Sequence, residues 1–258
     1  MRLLFASLFS GSSGNAVYIA ADNDAILIDA GKNNKAIESS LAVLGESPDK
    51  IRAVFITHEH SDHVSALPVF CRRHPVPVHF LAPTADAMFD PLPDSAVLHE
   101  SLYSASVGPF TVESFYTPHD SACAVGYSVS VAGLRLGVAT DMGMLSKNVV
   151  AALSGCFAAL IETNYDPHML AVGPYYPALK ARISGNRGHL SNPDGALLAS
   201  VLAFSGAKHL LLGHLSAENN TPDLALAAVL DEFSRRGVSA NVLVADRDRP
   251  TVLLDIEV

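Results

Sequence analysis

The sequence predicts an α/β fold in one domain spanning residues 1–258. Three observations predict it. Short apolar runs recur along the chain (3–9, 25–29, 53–56, 157–161 and 210–212) and read as buried strands. Segments of helical periodicity alternate with them, as at 34–44, 195–204 and 222–236. A chain of 258 residues with 49% hydrophobic and 17% charged residues can bury a large core and lacks the composition of a disordered polymer.

In chain order, 3–9 is the first strand. It could imitate a short signal peptide but lacks a long apolar region, and the strand reading is preferred. Ser10-Gly11-Ser12-Ser13-Gly14-Asn15 follows, either a flexible hairpin connection or a nest of amides and hydroxyls able to hold a phosphate. No Lys follows its glycines, so it is not a P-loop. Strands 16–20 and 25–29 flank an Asp22-Asn23-Asp24 turn, and helix 34–44 stops at Gly45. After strand 53–56 the periodicity predicts one helix over 64–73. A strand at 76–81 follows, with Pro77 marking an edge or an end. Residues 83–109 read as a helix and surface connections, and 110–116 as an apolar run. Strands 125–131 and 134–140 are joined by Ala132-Gly133, a hairpin signal. A helix at 145–153 precedes strand 157–161, and 174–192 is irregular, punctuated by Pro and Gly. Ser191 or Asn192 caps helix 195–204; helix 222–236 and strands 241–245 and 251–257 close the chain.

The chemistry concentrates at the end of strand 53–56, in Thr57-His58-Glu59-His60-Ser61-Asp62-His63. Imidazole nitrogen with carboxylate oxygen is the donor set of zinc, iron and manganese sites. In an extended segment His58 and His60 point the same way and can share one ion, while Asp62 and His63, beyond the bend, can face a second.

These residues, H-x-H-x-D-H after a hydrophobic strand, resemble the metallo-β-lactamase superfamily. Three later residues sit where that resemblance needs them, each after an apolar run: His119, Asp141 and His214. The resemblance implies a four-layer αββα sandwich with mixed sheets and two divalent metal ions, zinc or manganese, with iron also suited. His58, His60 and His119 would hold one ion, Asp62, His63 and His214 the other, and Asp141 would bridge them. Asp29 in Asp29-Ala30-Gly31 resembles a carboxylate that supports the metal loop from behind, although capping the next helix is an equally physical reading.

Further stretches look like the YycJ/WalJ-type branch of the superfamily: residues 10–15, Glu162-Thr163-Asn164-Tyr165-Asp166, Gly188-His189-Leu190-Ser191-Asn192 and 213–221. Tyr165 departs from that pattern, standing where the branch carries histidine. The branch implies a dinuclear phosphodiesterase acting as a 5′-to-3′ DNA exonuclease, with a metal-bridged hydroxide attacking phosphorus. Asp62 and His189 are the candidate catalytic residues. His189 would be a general acid or phosphate contact, set against a plain structural histidine. Ser12, Ser13, Asn15, Asn164 and Ser191 are candidate phosphate contacts. The stretch from Asp141 to His214 is too short to hold a β-CASP insertion beside its own strands and helices.

Net charge −9 and pI near 5.6 argue against a general polyanion-binding surface. They favour a rival to the nuclease, a small-molecule metallohydrolase acting on a cyclic phosphodiester or thioester; a second rival, against the complete ligand set, is a non-catalytic binding module. Two bound divalent ions would restore local attraction for phosphate. Cys71, Cys123 and Cys156 show no C-x-x-C spacing and read as reduced thiols of a cytoplasmic protein. No apolar run reaches the ~20 residues of a membrane span.

Overall fold

The computed structural model describes residues 1–258. Its first half comprises β1 (Arg2–Phe9), β2 (Ala16–Ala21), β3 (Asp24–Ile28), α1 (Asn34–Val43), β4 (Ile51–Phe55), α2 (Ser61–Val64), α3 (Leu67–Arg73), β5 (Val78–Leu81), α4 (Ala82–Asp86) and β6 (Ala96–His99). Next come β7 (Ser104–Val107), β8 (Phe110–Tyr116), β9 (Val125–Val131), β10 (Leu134–Ala139), α5 (Lys147–Leu153) and β11 (Ala158–Glu162). The chain ends with α6 (Pro167–Val172), α7 (Pro177–Ile183), α8 (Asn192–Phe204), β12 (His209–Gly213), α9 (Pro222–Arg236), β13 (Asn241–Val244) and β14 (Thr251–Glu257).

The strands form two seven-stranded sheets, ordered β14-β1-β2-β3-β4-β5-β6 and β13-β12-β11-β10-β9-β8-β7. Each is mixed. From β14 to β3 and from β7 to β10 neighbours run antiparallel; from β3 to β6 and from β10 to β13 they run parallel. Side-chain alternation explains why the strands are apolar throughout: Leu3 and Phe5 of β1 enter the cluster between the sheets, while Leu4 and Leu8 enter the cluster under α1 and α3. A third cluster packs the second sheet beneath α5, α8 and α9. Three apolar interfaces between four layers make the αββα sandwich. Tyr127, fully buried between the sheets, donates its hydroxyl to the Ile56 carbonyl at 2.6 Å and so ties the second sheet to the start of the histidine loop.

Three expectations need correction. The helix expected over 64–73 is two, α2 and α3. A continuous helix would drive the Pro68 ring against the Val64 carbonyl, and the chain instead restarts with Pro68 in the first turn of α3. Residues 83–109 hold two strands, β6 and β7, as well as α4. Each is four residues long, lies at a sheet edge and is incompletely buried, so the apolar signal is short in β6 (Ala96-Val97-Leu98) and missing in β7. The stretch 174–192 contains α7, whose Pro177 occupies the first helical turn, where proline starts a helix instead of breaking it. Pro77 marks the start of β5, which is an interior strand. All three cysteines are free, and no helix is long and apolar enough to cross a membrane.

His79 of β5 stacks between Phe55 (4.6 Å) and His99 (5.3 Å), with its Nδ1 3.0 Å from His99 Nε2. Burial and the neighbouring His99 push its pKa down to about 4. The unfolded chain therefore takes up this proton near pH 6.5 and the folded chain only near 4, so stability is intact above 6.5 and falls as pH drops between them. The loss is expected to be about 1–2 kcal/mol once the water reaching the ring is allowed for. Urea denaturation at pH 7 and pH 5 checks it: His79→Phe should lose less stability than the wild type over that interval, and parallel losses would refute it.

Candidate metal centre

The parallel strands of each sheet bring their C-terminal ends to one rim, and every candidate ligand lies on a loop leaving it. His58 to His63 follow β4, His119 follows β8, Asp141 follows β10 and His214 follows β12. Three non-glycine residues at this rim hold positive φ, Asp29 (61°), Asp141 (59°) and His214 (55°), a conformation held only where surroundings enforce it. The loop after β4 is clamped from below. A Cβ on Gly31 would lie 1.9 Å from the Asp62 carbonyl oxygen and 2.6 Å from the Asn15 amide nitrogen, so only glycine fits where three segments meet. Those segments are joined by Asn15 N donating to the Asp62 carbonyl (2.8 Å) and Gly31 N to the Asn15 carbonyl (2.9 Å).

Hydrogen bonds fix the tautomers. Asp29 accepts from the Thr57 amide and hydroxyl, both at 2.8 Å, and from His63 Nδ1 at 2.7 Å. With Nδ1 held by Asp29, His63 turns Nε2 to Asp62 (3.4 Å) and Asp141 (3.3 Å). Because the Thr57 hydroxyl donates to Asp29, it accepts from His58 Nδ1 at 3.0 Å, leaving a lone pair on His58 Nε2. His119 Nδ1 donates to the Gly188 carbonyl at 3.0 Å, so its Nε2 lone pair faces His60 Nδ1 at 3.3 Å and Asp141 Oδ1 at 3.7 Å. His214 turns Nδ1 to Asp141 Oδ2 at 3.3 Å. The structure thus gathers His58, His60 and His119 in one group and Asp62, His63 and His214 in another, with Asp141 reaching both.

Three atoms in this cluster, His58 Nε2, His214 Nδ1 and Asp141 Oδ2, are buried with no hydrogen-bond partner. Orphaned buried polar atoms are costly, and cations bound among these groups would satisfy their lone pairs. The donor set fits a divalent metal. Burial and the positive field of neighbouring imidazoles hold His58 and His60 below their ordinary pKa, and burial does the same for His214, so these rings are neutral and able to ligate. Burial opposes charge on His63 as well, but Asp29, Asp141 and Asp62 outweigh it and raise its pKa. Burial likewise opposes charge on Asp141, but His214 and His63 keep it ionised, well below the usual carboxylate range.

The other expected residues fall into distinct places. His189 Nδ1 lies 2.7 Å from Glu162 Oε1 and 3.7 Å from Asp141 Oδ1. Burial opposes its charge, yet Glu162, with help from Asp141, raises its pKa to about 9. Ser12 and Ser13 are exposed at the tip of their loop. Asn15 is buried, its amide nitrogen 3.2 Å from Asp62 Oδ2 and 3.0 Å from His63 Nε2. Asn164 donates to the His214 carbonyl at 2.7 Å, and Ser191 caps α8 with its hydroxyl on Asp194. The polar groups of these two are therefore engaged in positioning other loops.

Sequence reading missed Glu162. It is fully buried at the end of β11, one carboxylate oxygen on His189 and the other accepting from the Met142 amide at 2.8 Å. The signal was a carboxylate closing an otherwise apolar strand, Ala158-Ala159-Leu160-Ile161-Glu162.

The sequence profile of the metallo-beta-lactamase superfamily matches residues 10–143. Fold, site and profile together define a metal-dependent hydrolase. Exodeoxyribonuclease YycJ from Bacillus anthracis is 32% identical over 241 residues, 92% of this chain and 91% of its own. Exodeoxyribonuclease WalJ from Streptococcus pneumoniae is 32% identical over 262 residues, 98% and 97% of the two chains. This chain belongs to the metallo-β-lactamase superfamily, and within it to the YycJ/WalJ type. The metallo-beta-lactamase fold protein YhfI from Bacillus subtilis shares the fold at 13% identity, with a TM-score of 0.74 over 97% of this chain and 99% of that one.

Because Asp29 orients His63 without touching the other ligands, Asp29→Asn is expected to weaken metal binding about 10–100-fold. Asn tolerates the positive φ, so the backbone should hold. Competition with a chromophoric chelator measures the change; unaltered affinity would show that Asp29 only braces the loop.

Proposed function

We propose that this protein is a dinuclear metal-dependent phosphodiesterase that removes nucleotides from the 5′ end of DNA, built as one domain across residues 1–258 without a β-CASP insertion. It is read as a cytoplasmic protein. The observation that carries the dinuclear reading is the convergence of two donor triads on Asp141, with a lone pair or carboxylate oxygen from each turned inward. The substrate class is carried by the full-length similarity to two curated exodeoxyribonucleases. His58, His60 and His119 would hold one ion, Asp62, His63 and His214 would hold the second, and Asp141 would serve both. Zinc and manganese suit the mixed nitrogen and oxygen donors. Bound divalent ions supply Lewis acidity towards phosphate oxygens and lower the pKa of a coordinated water.

The protein's own groups do the rest. Thr57, Asp29 and the Gly188 carbonyl hold His58, His63 and His119 in the tautomer that ligates. Glu162 keeps His189 protonated beside Asp141, where the imidazolium can contact a phosphate oxygen or give its proton to the leaving group. Ser12 and Ser13, exposed on the neighbouring loop, are the remaining candidates for a terminal phosphate.

The test is to load the protein separately with zinc and manganese and supply end-labelled single-stranded and duplex DNA, with and without a 5′-phosphate. Stepwise loss from the 5′ end is expected. The acidic surface, net charge −9, favours a second reading, a small-molecule phosphodiester or thioester hydrolase. Turnover of such a compound with no cleavage of nucleic acid would establish it. A protein that takes up no metal and hydrolyses nothing would be a binding module.

A further inference from the structure

Residues 167–193 contain no Asp or Glu, although the chain carries 26 of them and a net charge of −9. The same segment supplies Lys180, Arg182, Arg187 and the pair Tyr175-Tyr176, so it is locally cationic and aromatic on an acidic molecule. It forms α6, α7 and the loop that ends at His189, one wall of the metal centre. Its seat there is rigid: His119 donates to the Gly188 carbonyl, and a Cβ on Gly143 would lie 2.3 to 2.4 Å from backbone atoms of Asn186, Arg187 and Gly188.

The cations of this wall are oriented by the centre itself. Arg187 donates Nε to the His119 carbonyl (2.8 Å) and Nη2 to the Ser121 carbonyl (3.1 Å). Both partners are neutral, so the guanidinium keeps its full charge and has N–H groups to spare. Arg182 pairs with Asp120, whose other oxygen is 3.4 Å from His119 Nε2, yet its side chain is 60% exposed. Tyr176, 65% exposed, stands at the N-terminal cap of α7, the helix that carries Arg182. Pro177 at the first turn of α7 fixes the backbone behind that ring. An exposed ring at the start of the helix that carries Arg182, on a segment with no carboxylate of its own, is the composition that holds an unpaired polynucleotide: cations on its phosphates and a platform for a base.

We propose that the exposed face of α7 and the 184–188 loop is a track for the single strand that leads away from the metal centre, with Arg187 and Arg182 on phosphates and Tyr176 stacking a base. The proposal rests on the nuclease reading above. It also reconciles the acidic chain with a polyanionic substrate, because the attraction is confined to one rim.

The test uses metal-loaded protein and two 5′-phosphorylated substrates of the same chemistry, a dinucleotide that reaches only the centre and a long single strand that reaches the track. In the double variant Tyr176→Ala, Arg182→Gln, the ratio of kcat/KM for the long strand to that for the dinucleotide is expected to fall about tenfold. The slope of log kcat/KM against log salt for the long strand should flatten by about 0.7, because one cation fewer neutralises a phosphate. Tyr176→Phe with Arg182→Lys should restore both. A ratio and salt slope that do not move, with the wild type still cleaving DNA, would overturn the track and leave the nuclease reading intact; so would a wild type that prefers the dinucleotide. A wild type that hydrolyses only non-nucleotide diesters would remove the nuclease reading and the track with it.

Discussion

Asp141→Asn is expected to lower hydrolysis by about a thousandfold or more and to reduce the metal bound at saturation. Asp141 is the one carboxylate that faces both donor groups: Oδ2 lies 3.3 Å from His63 Nε2 and 3.3 Å from His214 Nδ1, while Oδ1 lies 3.7 Å from His119 Nε2. The substitution isolates charge from shape. Asn is isosteric and tolerates φ of 59°, so the loop after β10 has no reason to move. What disappears is an anion buried among imidazoles, which burial alone would have neutralised and which the surrounding histidines keep ionised. Elemental analysis and turnover of the same preparation decide the matter. Full metal content with normal turnover would show that Asp141 ligates neither ion, and the dinuclear reading would fail. A folded protein short of metal, recognised by an unchanged circular dichroism spectrum, would support it.

The metal loop was legible because its chemistry is local: three histidines and an aspartate crowd behind β4, and chain connectivity alone nearly brings them together. His119, Asp141 and His214 were legible for a related reason, each ending an apolar strand of the second sheet, so the fold had only to align strand ends. The strands buried on both faces were equally plain. What escaped depended on partners distant in sequence. Glu162 gains meaning only from His189 and Met142, brought to it by the packing of the loops after β10 and β11. Edge strands β6 and β7 are defined by the neighbours they pair with, and residues such as Ser104 and Ser106 carry no apolar signal of their own. Pro177 of α7 reads as punctuation in the sequence and α6 goes unread, although Asp166, accepting from the Met169 amide ahead of Pro167, is a helix-start signature in its own right.

The second large effect is expected at the pair Glu162 and His189. His189→Ala should lower kcat about 10²–10⁴-fold with metal content unchanged; the ring also groups with Asp141, Glu162 and His214, so a loss of bound metal would place it among the ligands instead. Glu162→Gln is the sharper probe. The Gln carbonyl oxygen can still accept from the Met142 amide, which leaves the side-chain NH2 facing His189 Nδ1. The imidazolium then loses its anionic partner and meets a donor. In the wild type that partner raises the pKa of His189 to about 9, so a step requiring the protonated ring proceeds below that value and fades as pH rises through it. Cations at the centre would pull this limb downward in wild type and variant alike, so the sign of the difference between them is preserved. The alkaline limb of log kcat against pH should therefore move to lower pH in Glu162→Gln, and at pH 6 the variant should recover more of the wild-type rate than at pH 8. A limb that stays in place would mean that His189 does not carry the titrating proton. Rate loss equal at every pH would leave it only the role of a fixed phosphate contact.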